Sequence, residues 1–133
     1  MSRAGYSDGC EGWDLIRWRG AVASAIRGAR GQAFLREMLA ALDAMPAKRL
    51  IARALVQDGE ACALGAVAQA RGLDVSGVDP EDYEQVAKVF GIAEALAREI
   101  EFENDDYHTT EGRRWEYMRC WVLDNIREEP RDA

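Results

Sequence analysis

Residues 32–46, QAFLREMLAALDAMP, carry the clearest structural signal in this chain of 133 residues. Their apolar side chains recur at intervals of three and four residues, which places them along one side of an α-helix. These side chains belong to Phe34, Leu35, Met38, Leu39, Leu42 and Met45. Because proline restricts the residue before it and cannot continue a helix, Pro46 should end the segment. The stretch therefore predicts an amphipathic helix from about Gln32 to Met45.

A second amphipathic segment lies immediately upstream, between Gly12 and Gly28. Its apolar stripe, also at helical spacing, consists of Leu15, Trp18, Val22, Ala25 and Ile26. Glycine is poor in helix interiors and common at helix ends, so Gly28 to Gly31 should form a short turn. An anion-binding loop is the alternative there, but no complete phosphate-binding motif is present. Two helices joined this closely predict a helical hairpin.

The segment that follows is ambiguous. Residues 48–57, KRLIARALVQ, fit either a short helix or a strand. Asp58-Gly59 favours a tight turn, and its flanking residues could pair as a very small β-hairpin within residues 54–63. The next stretch, CALGAVAQARG at 62–72, predicts a short helix whose small residues permit close approach to a neighbour.

The second half of the chain predicts three more helices. Asp79 is a natural N-cap, with Pro80 at the first helical position, and that helix should stop near Phe90-Gly91. Another helix should run from about Ile92 to Phe102. Thr110 should cap the last one.

These elements predict a mainly α fold, a compact single-domain bundle of five or six short helices with room for one tiny hairpin. We expect a flexible N-terminus at residues 1–11, the helical domain at residues 12–127 and a frayed tail at residues 128–133. A chain of this length buries enough surface to form a core without disulfides.

Charge is distributed unevenly along the chain, whose net charge is −7. Residues 1–72 contain ten Lys and Arg against seven Asp and Glu, whereas residues 73–133 contain seven against seventeen. The negative total disfavours binding to phosphate backbones. The acidic second half suits a partner with a basic surface. A minor alternative is DNA contact through the arginines of the first half, Arg17, Arg19, Arg27 and Arg30.

Cysteine usage and hydropathy point to the cytoplasm. Cys10, Cys62 and Cys120 lack the spacing of zinc ligands or of a disulfide framework. No run approaches the roughly 18 apolar residues of a membrane span, and the first residues lack the apolar segment of a signal peptide. We expect no membrane contact, no metal and no cofactor.

The densest acidic run, Glu99, Glu101, Glu103, Asp105 and Asp106, is the first candidate site. It allows three interpretations: a solvated acidic face, a docking surface for a protein partner, or a metal site. Charge runs are usually solvated, and the spacing does not match a calcium-binding EF-hand loop. If the helix continues through the run, Glu99 and Glu103 share a face while Glu101 points elsewhere.

The loop at residues 105–114 is the second candidate. Its polar side chains include Asp105, Asp106, His108, Arg113 and Arg114. They allow a small metal- or nucleotide-binding enzyme with the histidine as general base. However, no cysteine or serine in this loop suggests a nucleophile, and a lone loop histidine is most often simply exposed. The balance favours a protein that is not an enzyme, without catalytic residues.

Four tryptophans are many for this length. Trp18 and Trp115 fall on the predicted apolar stripes and should lie in the core. Trp13 and Trp121 fall nearer the edges, where an aromatic side chain suits an interface.

Several short motifs resemble a group of small accessory proteins of tailed phages and prophages, over roughly residues 13–127. The motifs are Trp18, Ala25-Ile26-Arg27-Gly28 with Gln32, Cys62-Ala63-Leu64-Gly65, Phe90-Gly91-Ile92 and Asn104-Asp105. The group often has two adjacent cysteines where this chain has Cys62-Ala63, which argues against a paired-thiol metal site. The resemblance implies no catalytic residues. It implies a protein that acts in the bacterial cytoplasm by binding host machinery, defence systems included.

Together, charge and resemblance predict a phage-encoded protein that binds and modulates or inhibits a host complex with a basic surface, such as a CRISPR-type effector. An acidic surface carries the same sign of charge as phosphate and can compete for a nucleic-acid channel. The predicted contact residues are Glu99, Glu101, Glu103, Asp105, Asp106 and Trp121.

Overall fold

A computed structural model describes residues 13–106 and 110–127, with side chains from residue 16 onward. Within these ranges the chain forms six α-helices and one two-stranded antiparallel sheet, so the predicted mainly α bundle with a tiny hairpin is confirmed. The elements are α1 (Trp13–Arg27), α2 (Ala29–Ala44), β1 (Val56–Gln57), β2 (Glu60–Ala61), α3 (Ala63–Arg71), α4 (Tyr83–Phe90), α5 (Glu94–Asp105) and α6 (Glu111–Asn125). The expectations for residues 1–11 and 128–133 lie outside the described residues.

Helix α2 is central to the core, because it packs against α1, α3 and α6. Leu35, Met38 and Leu42 of its predicted stripe are completely buried. Around them lie apolar side chains from α3, α4, α5 and α6.

The junction between α1 and α2 is tighter than predicted. Helix α2 begins at Ala29, so Gly31 lies inside a helix and only Gly28 breaks the pattern. A Cβ atom at position 31 would stand 1.8 Å from the carbonyl oxygen of Ala25 in α1. The glycine is therefore needed for the close approach of two helices, a requirement that residue type alone does not separate from a turn.

The sheet resolves the ambiguity of residues 48–57. Only Val56 and Gln57 are in a strand, paired with Ala61 and Glu60, and Asp58-Gly59 forms the turn with φ values of 54° and 80°. Positive φ at both central residues is what a two-residue hairpin turn requires. Residues 45–55 form neither a helix nor a strand.

Helix α3 begins beside that irregular segment. The Sγ atom of Cys62 caps it, accepting a hydrogen bond from the Gly65 N–H at 3.4 Å. A Cβ atom at Gly65 would stand 1.8 Å from the carbonyl oxygen of Leu55. This confirms the expected close approach of the small-residue helix to a neighbour.

The helix ends in the second half of the chain match the predicted ones only in part. Asp82, not Asp79, caps α4, and Pro80 precedes the helix. Asp79 instead accepts a hydrogen bond from the Glu81 N–H at 2.9 Å, a local turn that competes with capping. The predicted stop at Gly91 and the Thr110 cap of α6 are confirmed, whereas α5 continues three residues beyond Phe102.

The two tryptophans predicted to be core residues differ from one another. Trp115 packs against the core, and its Nε1 donates a hydrogen bond to the Leu42 carbonyl at 3.1 Å. Trp18 is half-buried. The Arg98 guanidinium lies 4.5 Å from the centre of the Trp18 ring and 4.8 Å from the centre of the Tyr83 ring. The core prediction is therefore wrong for Trp18, which is partly buried like Trp115 but does not pack against the core cluster and lies next to a cation.

A buried polar cluster holds the irregular segment in place. Asn104, 2% exposed, accepts a hydrogen bond from the Ala63 N–H at 3.1 Å and donates one to the Ile51 carbonyl at 2.9 Å. Arg114, 6% exposed, donates to the carbonyl oxygens of Asn104 and Leu50, both at 2.8 Å. These two side chains thus connect α5, α6 and the start of α3 to residues 50 and 51.

Replacing Asn104 with Ala should destabilise the fold by about 2–4 kcal/mol, because a buried N–H and a buried carbonyl would each lose a partner. Urea unfolding measures the difference. Asn125→Ala is the control, since among the described residues that side chain donates only to the Trp121 carbonyl, one turn earlier in the same helix. Equal effects of the two substitutions would contradict the assigned role of Asn104.

The two helical glycines of the hairpin should respond oppositely to alanine. Gly31→Ala should cost about 1–3 kcal/mol, because the added methyl group meets backbone that cannot move cheaply. Gly20→Ala should stabilise α1 by about 0.5–1 kcal/mol, since nothing lies within 4 Å of a Cβ atom there. Thermal and urea unfolding of both variants provide the test, and a stabilising Gly31→Ala would disprove the close approach.

Candidate functional site

The predicted acidic run does not form one solvated face. Glu99 and Glu103, 8% and 5% exposed, are buried on the same side of α5, as the helical spacing predicted. The Glu103 carboxylate accepts a hydrogen bond from the Tyr117 hydroxyl. Glu101 and Asp105 are half-buried, and only Asp106 is exposed. The interpretation as a solvated face is therefore wrong for Glu99 and Glu103, because α5 packs against α1, α3, α4 and α6.

A different set of carboxylates acts on Glu101, which lines a small cavity together with Pro80, the residue between Asp79 and Glu81. Asp79 and Glu81, in the loop before α4, act on its charge together with Asp105 and Asp106 at the end of α5. We call these five residues the acidic patch. Sequence reasoning missed Asp79 and Glu81 because about twenty residues separate them from Glu101. The sequence around Pro80 indicates only the start of a helix, with Asp79 as its predicted cap.

Glu101 is the most strongly perturbed member of the acidic patch. Burial, followed by repulsion from Asp105, Glu81, Asp79 and Asp106, raises its pKa from 4.5 to about 8. One of its carboxylate oxygens is buried without a hydrogen-bond partner. A cation brought to this side chain would offset both effects.

The rest of the acidic patch is held by the backbone around it. The Asp105 carboxylate accepts hydrogen bonds from the Arg53 N–H at 3.3 Å and from Asn104 Nδ2 at 2.7 Å. The Asp79 carboxylate is fixed by its local turn. The position of Asp105 therefore depends on Asn104, whereas Asp79 is positioned within its own loop.

The structure separates two of the arginines that the sequence assigns to a possible enzyme site at residues 105–114. His108 lies outside the described residues. Arg114 is buried, and its guanidinium donates to the backbone carbonyl oxygens of Asn104 and Leu50. Arg113 is exposed on the first turn of α6. Across residues 13–106 and 110–127, no group of three or more His, Cys, Asp or Glu is arranged to hold a metal ion.

Cys62 is unsuited to nucleophilic chemistry. It is buried in the core, and desolvation raises the pKa of its thiol to about 12. The thiolate, which is the reactive form, is therefore scarce near neutral pH. Cys120 is exposed on α6.

Trp121 lies away from the acidic patch, in a groove between α1 and α6. The groove is a cavity of about 410 Å³, and its lining includes Arg19, Arg27, Glu99, Trp121, Asp124 and Arg127. Trp121 is half-buried there, and the side chain of Trp13 is not described. The structure thus separates the six predicted contact residues. Glu101, Asp105 and Asp106 belong to the acidic patch, Glu99 and Trp121 line the groove, and Glu103 is buried against Tyr117.

The arginines considered for DNA contact are similarly divided. Arg19 and Arg27 line the groove, whereas Arg30 lies beside a shallow cavity with Glu84 and Lys88. Arg17 is exposed on α1. They do not form one continuous basic stripe.

Comparisons with known proteins add no relative: no family model, no curated protein and no solved structure matches the chain. Among the helices of the described ranges, none has the length and apolar character to cross a membrane.

The unfolding free energy should fall as the pH rises from about 5 to about 8. The pKa of Glu101 is about 8 in the folded chain and 4.5 ordinarily, so the folded chain holds this proton more tightly and loses that advantage on titration. Glu101→Gln should reduce the slope and be more stable than the original chain at a pH of about 8.

Urea unfolding over this pH range measures the slope. Glu84→Gln is the matched control, because Glu84 is exposed on α4 and outside the acidic patch. The control should retain the original slope. An unchanged slope in the Glu101 variant would show that the folded chain does not hold this proton.

Proposed function

We propose that this chain is a non-enzymatic binding protein that attaches to a basic surface of a partner through the acidic patch. The observation that carries the proposal is the meeting of five carboxyl groups from two separate segments around the partly desolvated Glu101. Ionised carboxylates held close to Glu101 repel its charge, and together with burial they keep it largely protonated near neutral pH. A partner that supplies Lys or Arg removes that repulsion.

The phage resemblance supports a particular partner class. Host complexes that act on nucleic acids have basic channels, and a rigid acidic surface competes with phosphate for them. We propose that the protein is phage-encoded and acts in the bacterial cytoplasm. There it would bind and inhibit or modulate such a complex, a CRISPR-type effector being one example.

Binding should also depend on pH. A cation next to Glu101 favours its ionised form, so binding below a pH of about 8 should release a proton, given the pKa of about 8. Affinity for a basic partner should therefore increase as the pH rises towards that value.

Charge reversal within the acidic patch tests the proposal. Glu81 and Asp106 are exposed, and lysine is favourable at the C-terminal end of a helix, where Asp106 stands. The double variant Glu81→Lys/Asp106→Lys should remain folded, and its affinity for the partner should fall by about tenfold or more. The control Glu84→Lys/Glu116→Lys makes the same change in net charge at exposed positions outside the patch.

The assay is affinity capture from a bacterial lysate, with partner proteins quantified by mass spectrometry. The original chain and the control should retain the same basic complex. This complex should be released at about 1 M salt, where the screening length is about 3 Å. Capture that survives the patch reversal or high salt would contradict the acidic-patch mechanism, and a blank result would contradict a host partner.

A further inference from the structure

The groove between α1 and α6 has the size and form of a small-molecule site. Its volume of about 410 Å³ falls within the range of about 300–1,000 Å³ that is usual for ligand pockets. Val22, Ile26 and Trp121 contribute apolar surface, and Glu99 from α5 also lines it. The groove shares none of its lining residues with the acidic patch.

Three arginines line this groove. Arg19 and Arg27 belong to α1, and Arg127 follows the end of α6. Within the described part of the chain, none of their guanidinium groups has an ion pair or a hydrogen bond. By contrast, Arg71 and Arg119 are paired with Glu37 and Asp43, with closest distances of 2.6 Å.

The shape of the groove is fixed by Gln32, which is 6% exposed. Its Nε2 donates hydrogen bonds to the carbonyl oxygens of Ile26 at 2.7 Å and Asn125 at 2.9 Å. Its Oε1 accepts one from the Arg127 N–H at 2.7 Å. One buried amide therefore ties the ends of α1 and α6 together and brings Arg27 and Arg127 to the same groove. Preorganisation of this kind lowers the cost of ligand binding.

The Gln32 amide also reduces the electrostatic repulsion that an anion would meet in the groove. The C-terminal ends of helices carry partial negative charge on their carbonyl oxygens, which would repel an anion. Gln32 Nε2 donates to a carbonyl oxygen at each helix end, Ile26 in α1 and Asn125 in α6. The positive charge of the three arginines is therefore less opposed than helix geometry alone would suggest.

We infer that the groove binds a mononucleotide. Guanidinium groups pair with phosphate through two parallel hydrogen bonds, which accounts for the arginines. The half-buried Trp121 offers apolar surface to a flat base. The Asp124 carboxylate can accept hydrogen bonds from ribose hydroxyl or base amino groups. A phosphate, a sugar and a ring together match the mixed charge of the lining better than a simple anion does.

Titration with AMP, GMP and UMP tests the inference, followed by calorimetry and by the NMR signal of the Trp121 indole N–H. At least one nucleotide should bind with 1:1 stoichiometry and shift that signal. The double variant Arg19→Ala/Arg127→Ala should weaken binding by about tenfold or more. The control Arg17→Ala/Arg30→Ala removes the same charge from exposed arginines that do not line the groove.

Three results would overturn the inference. The first is no binding of any of the three nucleotides at about 1 mM, which corresponds to a binding free energy weaker than about −4 kcal/mol. The second is equal weakening in the groove variant and its control. The third is that inorganic phosphate or a single-stranded oligonucleotide binds as tightly as the nucleotides, since either would show that base and sugar are not read together.

Discussion

The buried hydrogen bond from Arg114 to the Asn104 backbone is the interaction on which the packing of residues 50 and 51 against α3, α5 and α6 depends. Arg114 donates to the backbone of residues 104 and 50, and the Asn104 side chain binds the backbone of residues 63 and 51. A buried charge or amide without partners is costly, so these groups strongly favour a single arrangement of the chain around them. Residues 45–55 form no helix or strand. Hydrogen bonds from Asn104 and Arg114 hold this segment in place. Asp105, next in the chain, is carried into the acidic patch by the same contact.

A second buried amide, Gln32, organises the other half of the molecule. It joins the ends of α1 and α6 where apolar packing leaves a groove. The close helix contact at Gly31 places Gln32 next to the end of α1, so a glycine and an amide one residue apart act together. The groove and Asp105 of the acidic patch thus each depend on one satisfied polar side chain in the interior.

The three-dimensional charge distribution partly follows the sequence. Acids of the second half gather at the end of α5 and in the loop before α4, and arginines of the first half gather on α1. The helix nevertheless divides the acidic run, because residues two apart on an α-helix point in different directions. Glu99 and Glu103 turn inwards, while Glu101 meets acids from a distant segment. A single linear motif therefore contributes to an interior, a groove and a surface patch.

The amino-acid pattern was sufficient for the helices, the Asp58-Gly59 turn, the Thr110 cap and the glycine stop at Gly91, because these depend on local periodicity, backbone preference and capping. It was also sufficient to place Glu99 and Glu103 on one helical face. It was insufficient for the Asp82 cap, since two acids near Pro80 offer competing local hydrogen bonds. Three features arise only when the helices pack. They are the close helix contact at Gly31, the hydrogen bond between Arg114 and Asn104, and the gathering of Asp79 and Glu81 around Glu101. Each of these depends on atoms that are distant in sequence, and their proximity is decided by how the helices bury their apolar faces.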